Sequence, residues 1–141
     1  DIQGLLGELS GDPDPRAHLP IGTRVGHVHV HVSSLDDAML FYRDVIGFGG
    51  LVLMRERGMG DVGLDYAPPT LAFNVWSGAD ARLPAKGTAG LRHFTIRLPT
   101  ATAMENLQES LADSSYPCEN QDGVLHLNDP FGNAIRIERV Q

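Results

Sequence analysis

The chain repeats one pattern of structural elements at a spacing of 66 residues, and this repeat limits its fold more than any other feature. Arg24–Val32 and Leu91–Leu98 both alternate apolar and polar side chains, as half-buried strands do. Each is followed by an amphipathic helix, and His27 and His93 stand 66 positions apart at matching points of the two strands. Neither unit of about 55 residues could bury one face of a sheet alone, so the two are expected to pack together. The sequence predicts a single domain made of a duplicated α+β module.

Module one, residues 24–77, is predicted to contain one helix and four strands. Ser34 and Asp37 resemble a capping box, and they precede a helix from Leu35 to about Ile46 that Gly47 ends. The inner face of that helix is expected to carry Leu35, Met39, Tyr42 and Ile46. Later strands are expected at Gly50–Arg55, near Leu64–Tyr66 and at Thr70–Trp76. The segment GMGDVG, residues 58–63, matches GxGxxG but no helix follows it, so it is interpreted as a flexible loop able to act as a lid.

Module two, residues 91–141, follows a linker over residues 78–90. Pro99 and Thr100 are expected to start a helix that reaches about Ser114, with Met104, Leu107 and Leu111 inward. Its later strands are predicted at Tyr116–Asn120, Val124–Asn128 and Asn133–Val140, the last two joined by the turn DPFGN. Residues 1–23 precede both modules as a short amphipathic helix, residues 2–9, and a connector with Pro13, Pro15 and Pro20.

Charge and composition exclude several classes of protein. Lys and Arg total 11 against 18 Asp and Glu, which gives a net charge of -7 and no basic face for nucleic acid. No apolar stretch approaches the roughly 20 residues of a membrane span. The one cysteine, Cys118, excludes an internal disulfide and agrees with a cytoplasmic location. Because the first residue is Asp1 and not Met, the chain is interpreted as a fragment, a processed product or a trimmed chain.

Three segments carry a resemblance to a known family: Gly26–Gly50 (GHVHVHVSSLDDAMLFYRDVIGFGG), Gly90–Pro99 (GLRHFTIRLP) and Asp129–Glu138 (DPFGNAIRIE). They resemble the vicinal oxygen chelate superfamily of glyoxalase I, extradiol dioxygenases, fosfomycin-resistance enzymes and bleomycin-resistance proteins. The similarity is greatest to the C-terminal half of two-domain, catechol 2,3-dioxygenase-like proteins, where residues 1–23 would follow a preceding domain. The resemblance implies two βαβββ modules whose mixed sheets form an open cup.

The resemblance also implies a divalent metal, Fe(II) or Mn(II), in that cup. His27 and His93 match the ligands on the first strand of each module, and a catechol would chelate the metal through its two vicinal oxygens. In relatives the carboxylate ligand stands four residues after the glycine of the final turn, and here that position is Arg136. Glu138 lies on the same face about 6.7 Å further along the strand, so it is a displaced candidate for the third ligand. A guanidinium repels a metal ion and keeps its proton, so the metal site is predicted to be eroded.

Further polar side chains are predicted to line the cup as a ligand pocket. They are His29, Asn74, Thr95, Arg97 and Arg136. Tyr66 is a candidate catalytic hydroxyl. If the ligand is an anion, Arg97 and Arg136 are its natural anchors, because guanidinium groups pair with carboxylates.

Three functions stay open at this point. The first is a metal-dependent extradiol dioxygenase, an oxidoreductase with His27, His93 and the displaced Glu138 as ligands. The second is a metal-free domain of the bleomycin-resistance type that binds a small aromatic or cationic molecule. The third is an accessory half of an enzyme whose active domain lies elsewhere. A homodimer, or packing against a missing N-terminal domain, is expected in each case.

Overall fold

A computed structural model describes residues 2–7, 21–63, 70–78, 81, 85 and 87–140 of the chain. Module one contains β1 (Val28–His31), α2 (Leu35–Met39), β2 (Gly49–Met54), β3 (Met59–Gly63) and β4 (Leu71–Asn74), and α1 (Ile2–Gly7) precedes it. Module two contains β5 (Phe94–Leu98), α3 (Ala101–Asp113), β6 (Cys118–Gln121), β7 (Val124–Asn128) and β8 (Ala134–Arg139). Within the described ranges, no helix has the length and apolarity that a bilayer crossing requires.

The strands form two four-stranded mixed sheets with the same topology. Sheet one has the order β1-β4-β3-β2 and sheet two the order β5-β8-β7-β6. In each sheet the first and last strands of the module pair in parallel, whereas the remaining pairs are antiparallel. The predicted α+β fold of two βαβββ modules is therefore confirmed.

The helix of module one is capped as predicted but changes its winding. The side chain of Ser34 accepts a hydrogen bond from the backbone N–H of Asp37. From Leu40 to Val45 the helix continues as a π-helix, and Ile46 N–H donates to the carbonyl of Phe41 at 2.9 Å. The helix buries Phe41 and Val45 beside the expected Met39 and Tyr42. Leu35 and Ile46 are half-buried and pack against the core, so the predicted inner face is confirmed, and Phe41 and Val45 extend it.

One apolar core joins the two modules on the helix side of both sheets. The ring of Phe41 packs edge-on against Tyr116 with centroids 4.9 Å apart. The hydroxyl of Ser110 on α3 donates to the carbonyl of Val45 at 2.8 Å. As predicted, Leu107 and Leu111 of α3 are buried, with Met104 partly buried beside them. The core also includes the apolar strand residues Val30, Val32, Val62, Leu71, Phe73, Leu125, Leu127, Ile135 and Ile137.

Asp129 connects the modules through a buried hydrogen-bond network. Its Oδ2 accepts from the hydroxyl of Tyr42 at 2.6 Å and from Nδ2 of Asn133 at 2.7 Å. Its Oδ1 accepts from the backbone N–H groups of Phe131 and Asn133. Nδ2 of Asn133 also donates to the carbonyl of His31 in module one at 3.1 Å. The final turn therefore holds β8 against module one.

The segment predicted to be a flexible loop and lid, residues 58–63, is instead mostly a central strand. Met59–Gly63 pairs with β2 on one side and β4 on the other. Gly60 lies against the ring of Phe73, where an added Cβ would stand 2.8 Å from Cε2. The glycine therefore serves close packing in the sheet and not mobility, which is why the GxGxxG pattern was misinterpreted.

Several strand ends differ from the sequence predictions. β1 begins at Val28 and β5 at Phe94, so His27 and His93 both lie just before their strands. The expected strand near Leu64–Tyr66 falls outside the described residues, as do Leu9, most of the proline-containing connector and much of the linker over residues 78–90. The predicted division into modules and linker stays a prediction.

Candidate functional site

The candidate site residues lie on the polar faces of the two sheets, opposite the core. In β1, Val30 is buried while His29 on the other side is exposed, as the alternation predicted. In sheet one His29 pairs with Ala72, and Ala72 pairs with Asp61 of β3. In sheet two the matching row runs across Thr95, Arg136, His126 and Glu119. Each sheet thus presents one row of neighbouring side chains on its polar face.

Sheet one carries a cluster of imidazoles beside an amide. Nδ2 of Asn74 lies 2.7 Å from Nε2 of His29, a hydrogen-bond distance. The His29 ring also contacts the ring of Trp76, with centroids 5.3 Å apart. Desolvation, followed by the positive charge of His27, lowers the pKa of His29. The predicted pocket residues His29 and Asn74 are therefore brought together, and His27 acts on them electrostatically.

Asp61 is a buried carboxylate that the sequence analysis missed. It is 7% exposed, and its Oδ1 is buried without a hydrogen-bond partner among the described residues. Desolvation raises the pKa of this carboxyl group, while a hydrogen bond from the Val52 backbone and the charge of His27 act in the opposite direction. Asp61 was not selected from the sequence because it lies in the GMGDVG segment, which was interpreted as a loop. Strand alternation between Asp61 and the apolar Val62 was the signal that could have revealed it.

His31 is a second polar group that the candidate set omitted. Both of its ring nitrogens are buried, and neither has a hydrogen-bond partner within the described part of the chain. Its backbone carbonyl is the one that accepts from Asn133 of module two. The ring therefore lies on β1 where the two modules meet.

Sheet two places Arg136 in the middle of its polar row. Its Nε is buried and lacks a hydrogen-bond partner in the described ranges, although the residue as a whole is half-exposed. Thr95 and His126 are its cross-strand neighbours. A cleft of about 720 Å³ opens over β6, β7 and β8, and Arg136, His126, His93, Arg92 and Glu119 are among its lining residues. The structure thus brings His93 and Arg136 to one cleft.

Glu138 and Arg97 form an ion pair with each other. Nε of Arg97 lies 2.8 Å from Oε1 of Glu138, and the strand register aligns the two residues directly. The Arg97 side chain is largely exposed and that of Glu138 about a quarter exposed. Glu138 stands one strand repeat, about 6.7 Å, beyond Arg136. The carboxylate proposed as a displaced metal ligand is therefore engaged by a cation.

The described donor residues show no metal site of the kind that the resemblance implied. A non-haem iron site of that type needs two imidazoles and one carboxylate that are directed at the same metal position. Across the described residues, no three His, Cys, Asp or Glu side chains converge in a group able to hold a metal ion. His27 interacts with His29 and Asp61 of its own sheet, whereas His93 lines the cleft beside Arg136. Tyr66 lies outside the described residues.

Comparisons with known proteins agree with this architecture. No protein-family model matches the chain. The chain is 31% identical over 137 residues to catechol-2,3-dioxygenase from Bacillus subtilis. That alignment covers 95% of the chain and 46% of the relative, so the chain spans about half the length of the curated relative it matches.

Solved structures share the fold at low sequence identity. A glyoxalase/dioxygenase from Nostoc punctiforme has a TM-score of 0.68 at 13% identity, covering 91% of this chain and 99% of its own. A glyoxylase/bleomycin resistance protein/dioxygenase domain from Frankia has a TM-score of 0.67 at 19% identity, covering 84% of this chain and 93% of its own. At these identities the similarity shows the fold alone.

Proposed function

We propose that this chain, which belongs to the vicinal oxygen chelate superfamily, is a small-molecule-binding domain that binds its ligand on its polar sheet faces without a metal ion. One observation carries the proposal: Arg136 occupies the strand position at which the family resemblance expects the carboxylate ligand. The ligand that we propose is a small aromatic molecule, as the catechol in the name of the curated relative suggests.

Electrostatics favour this proposal over a chelating centre. A divalent ion about 4 Å from a guanidinium would be repelled by roughly 8 kcal/mol at an effective dielectric constant near 20. Arginine cannot relieve that repulsion by losing a proton. The nearest carboxylate on the same strand face, that of Glu138, is already paired with Arg97. A metal bound by His27 and His93 would therefore gain no carboxylate and would meet a cation.

A second candidate is a ring-cleaving dioxygenase, and the 31% identity to catechol-2,3-dioxygenase favours it. In that case Fe(II) or Mn(II) would supply the oxygen chemistry, with His27 and His93 as ligands. Glu138 would have to leave Arg97 and complete the set. The described residues do not hold that arrangement, so it ranks second.

Calorimetric titration separates the two candidates. We expect catechol to bind the protein in the presence of EDTA, and Mn(II), or Fe(II) without oxygen, to show no saturable binding. Arg136→Glu should create measurable metal affinity, while Arg139→Glu, with the same change of charge three residues further along the same strand, should not. Stoichiometric metal binding by the unsubstituted chain that is lost in His93→Ala would overturn the metal-free proposal and establish the second candidate.

A further inference from the structure

We infer that the ligand of this domain carries a carboxylate group and that Arg136 binds it in the cleft over β6, β7 and β8. This inference rests on the proposed metal-free binding function and names the chemical class of the ligand. Its basis is the local charge of the cleft, the state of the Arg136 side chain and the nature of the cleft wall.

The cleft is less acidic than the protein as a whole. Two arginines, Arg92 and Arg136, line it together with two carboxylates, Glu119 and Asp129, so its formal charges balance with the histidines neutral, whereas the chain has a net charge of -7. The net field of the chain repels an anion, and this repulsion is weakest where arginines line a concave surface. An anion that binds this protein therefore needs a specific contact with an arginine of the cleft.

The carboxylates that line the same cleft have other hydrogen-bond partners. Glu119 stands two strands from Arg136, and Nε2 of Gln121 donates to its Oε2 at 3.2 Å. Both oxygens of Asp129 accept hydrogen bonds, among them that of the Tyr42 hydroxyl. Neither carboxylate forms an ion pair with Arg136 in the described part of the chain.

Arg136 is a partly desolvated cation that forms no ion pair with any acid among the described residues. Its Nε is shielded from water and makes no hydrogen bond to any described residue. Burial of part of a guanidinium carries a free-energy cost that an ionic hydrogen bond to a ligand can offset. A carboxylate can bind end-on through the two terminal guanidinium nitrogens, in the parallel geometry that this pair favours. Arg97, the other anchor expected from the sequence, is already paired with Glu138.

The wall of the cleft fits an aromatic acid better than a small inorganic anion. Tyr116, Pro117 and Pro130 also line it, so apolar surface lies beside the cationic group. A volume of about 720 Å³ is within the range of ordinary small-molecule sites. A ring attached to the carboxylate would bury against this surface.

The test compares benzoate and 3,4-dihydroxybenzoate with their neutral counterparts benzamide and catechol, by calorimetry in EDTA. We expect each acid to bind at least tenfold more tightly than its neutral counterpart, with affinity falling as salt is raised. Arg136→Gln should remove this preference. Arg139→Gln is the matched control, because it removes one positive charge from an exposed residue three positions further along β8; it should leave the preference unchanged.

The outcomes distinguish failure of this inference from failure of the proposed function. Equal affinity of the unsubstituted protein for benzoate and benzamide would overturn the inference and leave metal-free binding intact, and this comparison needs no variant that could misfold. Retention of the acid preference in Arg136→Gln would also overturn it. Binding of 3,4-dihydroxybenzoate only after Mn(II) is added would refute the proposed function itself, and the inference with it.

Discussion

The hydrogen bond between Tyr42 and Asp129 gives the sharpest test of how the two modules are held together. Both residues are buried, and the phenol donates to a carboxylate oxygen at 2.6 Å. A hydrogen bond to a charged group contributes roughly 1.5–3 kcal/mol to stability. Tyr42→Phe removes only the donor, and Oδ2 of Asp129 keeps its bond from Asn133. We therefore expect the free energy of unfolding to fall by about 2 kcal/mol, towards the lower end of that range.

Urea unfolding followed by circular dichroism measures this loss. Tyr116→Phe is the matched control, because its ring packs against Phe41 and its hydroxyl makes no hydrogen bond to the described residues; it should cost less than about 0.5 kcal/mol. A double-mutant cycle of Tyr42→Phe with Asp129→Asn should give a coupling energy of about 1 kcal/mol or more. A Tyr42→Phe variant as stable as the control would refute the assigned role of the pair.

The hydrogen bond between Tyr42 and Asp129 should also affect the stability of the protein at alkaline pH. Desolvation first, and then the charge and hydrogen bond of Asp129, raise the pKa of Tyr42 well above its usual value of 10.0. The folded state therefore retains a proton that the unfolded state loses above about pH 10, so stability falls as pH rises beyond that point. The slope of this fall should be smaller in Tyr42→Phe than in the unsubstituted protein.

Three other substitutions test the remaining assignments. Asp61→Asn should stabilise the protein by about 1 kcal/mol at pH 7, because it removes a buried charge. The pKa of Asp61 is higher in the folded state than in the unfolded state, so the free energy of unfolding should decline as pH rises above about 3.8. Urea unfolding at a series of pH values should show a smaller decline in Asp61→Asn than in the unsubstituted protein. Gly60→Ala should cost about 1–3 kcal/mol in thermal unfolding because its Cβ would meet Phe73, whereas Gly26→Ala, with open space around its Cβ, should be nearly neutral. Glu138→Gln breaks an exposed ion pair and should cost less than about 1 kcal/mol in urea unfolding; a larger loss would show that the pair is structural.

The fold was predictable because its determinants are local patterns that occur twice. The alternation in β1 and β5, the caps Ser34 and Thr100, and the terminating Gly47 are each visible within a few residues of sequence. The π-helical stretch was not predictable, because 3.6-residue periodicity is assumed when an inner face is assigned. The buried residues Ala38, Phe41, Tyr42 and Val45 keep the i, i+3, i+4, i+7 spacing of an ordinary helix face, so the sequence carries no signal for the change of winding.

The candidate site was less predictable because its geometry depends on strands that are distant in sequence. The pairing of Asp61 with Ala72, and through it with His29, requires the register of three strands. The ion pair that engages Glu138 likewise depends on the alignment of β5 with β8. His27 and His93 could be selected from the repeat alone, but their surroundings could not.

Each sheet has one face in the core and one polar face, so residues of the candidate site can differ from the family pattern without a change in the core. Ile135 and Ile137 of β8 are buried in the core, whereas Arg136 and Glu138 between and beyond them lie on the polar face. An arginine at position 136, where the family resemblance implies an acid, therefore removes no core contact. Ala72 pairs with His29 in sheet one as Arg136 pairs with Thr95 in sheet two, so Ala72 and Arg136 occupy equivalent positions of the two modules. The two modules therefore already carry different side chains at this position. Because strand alternation separates the residues that stabilise the fold from those on the polar face, the polar face can change its chemistry while the core stays the same, as the proposed anion binding by Arg136 requires.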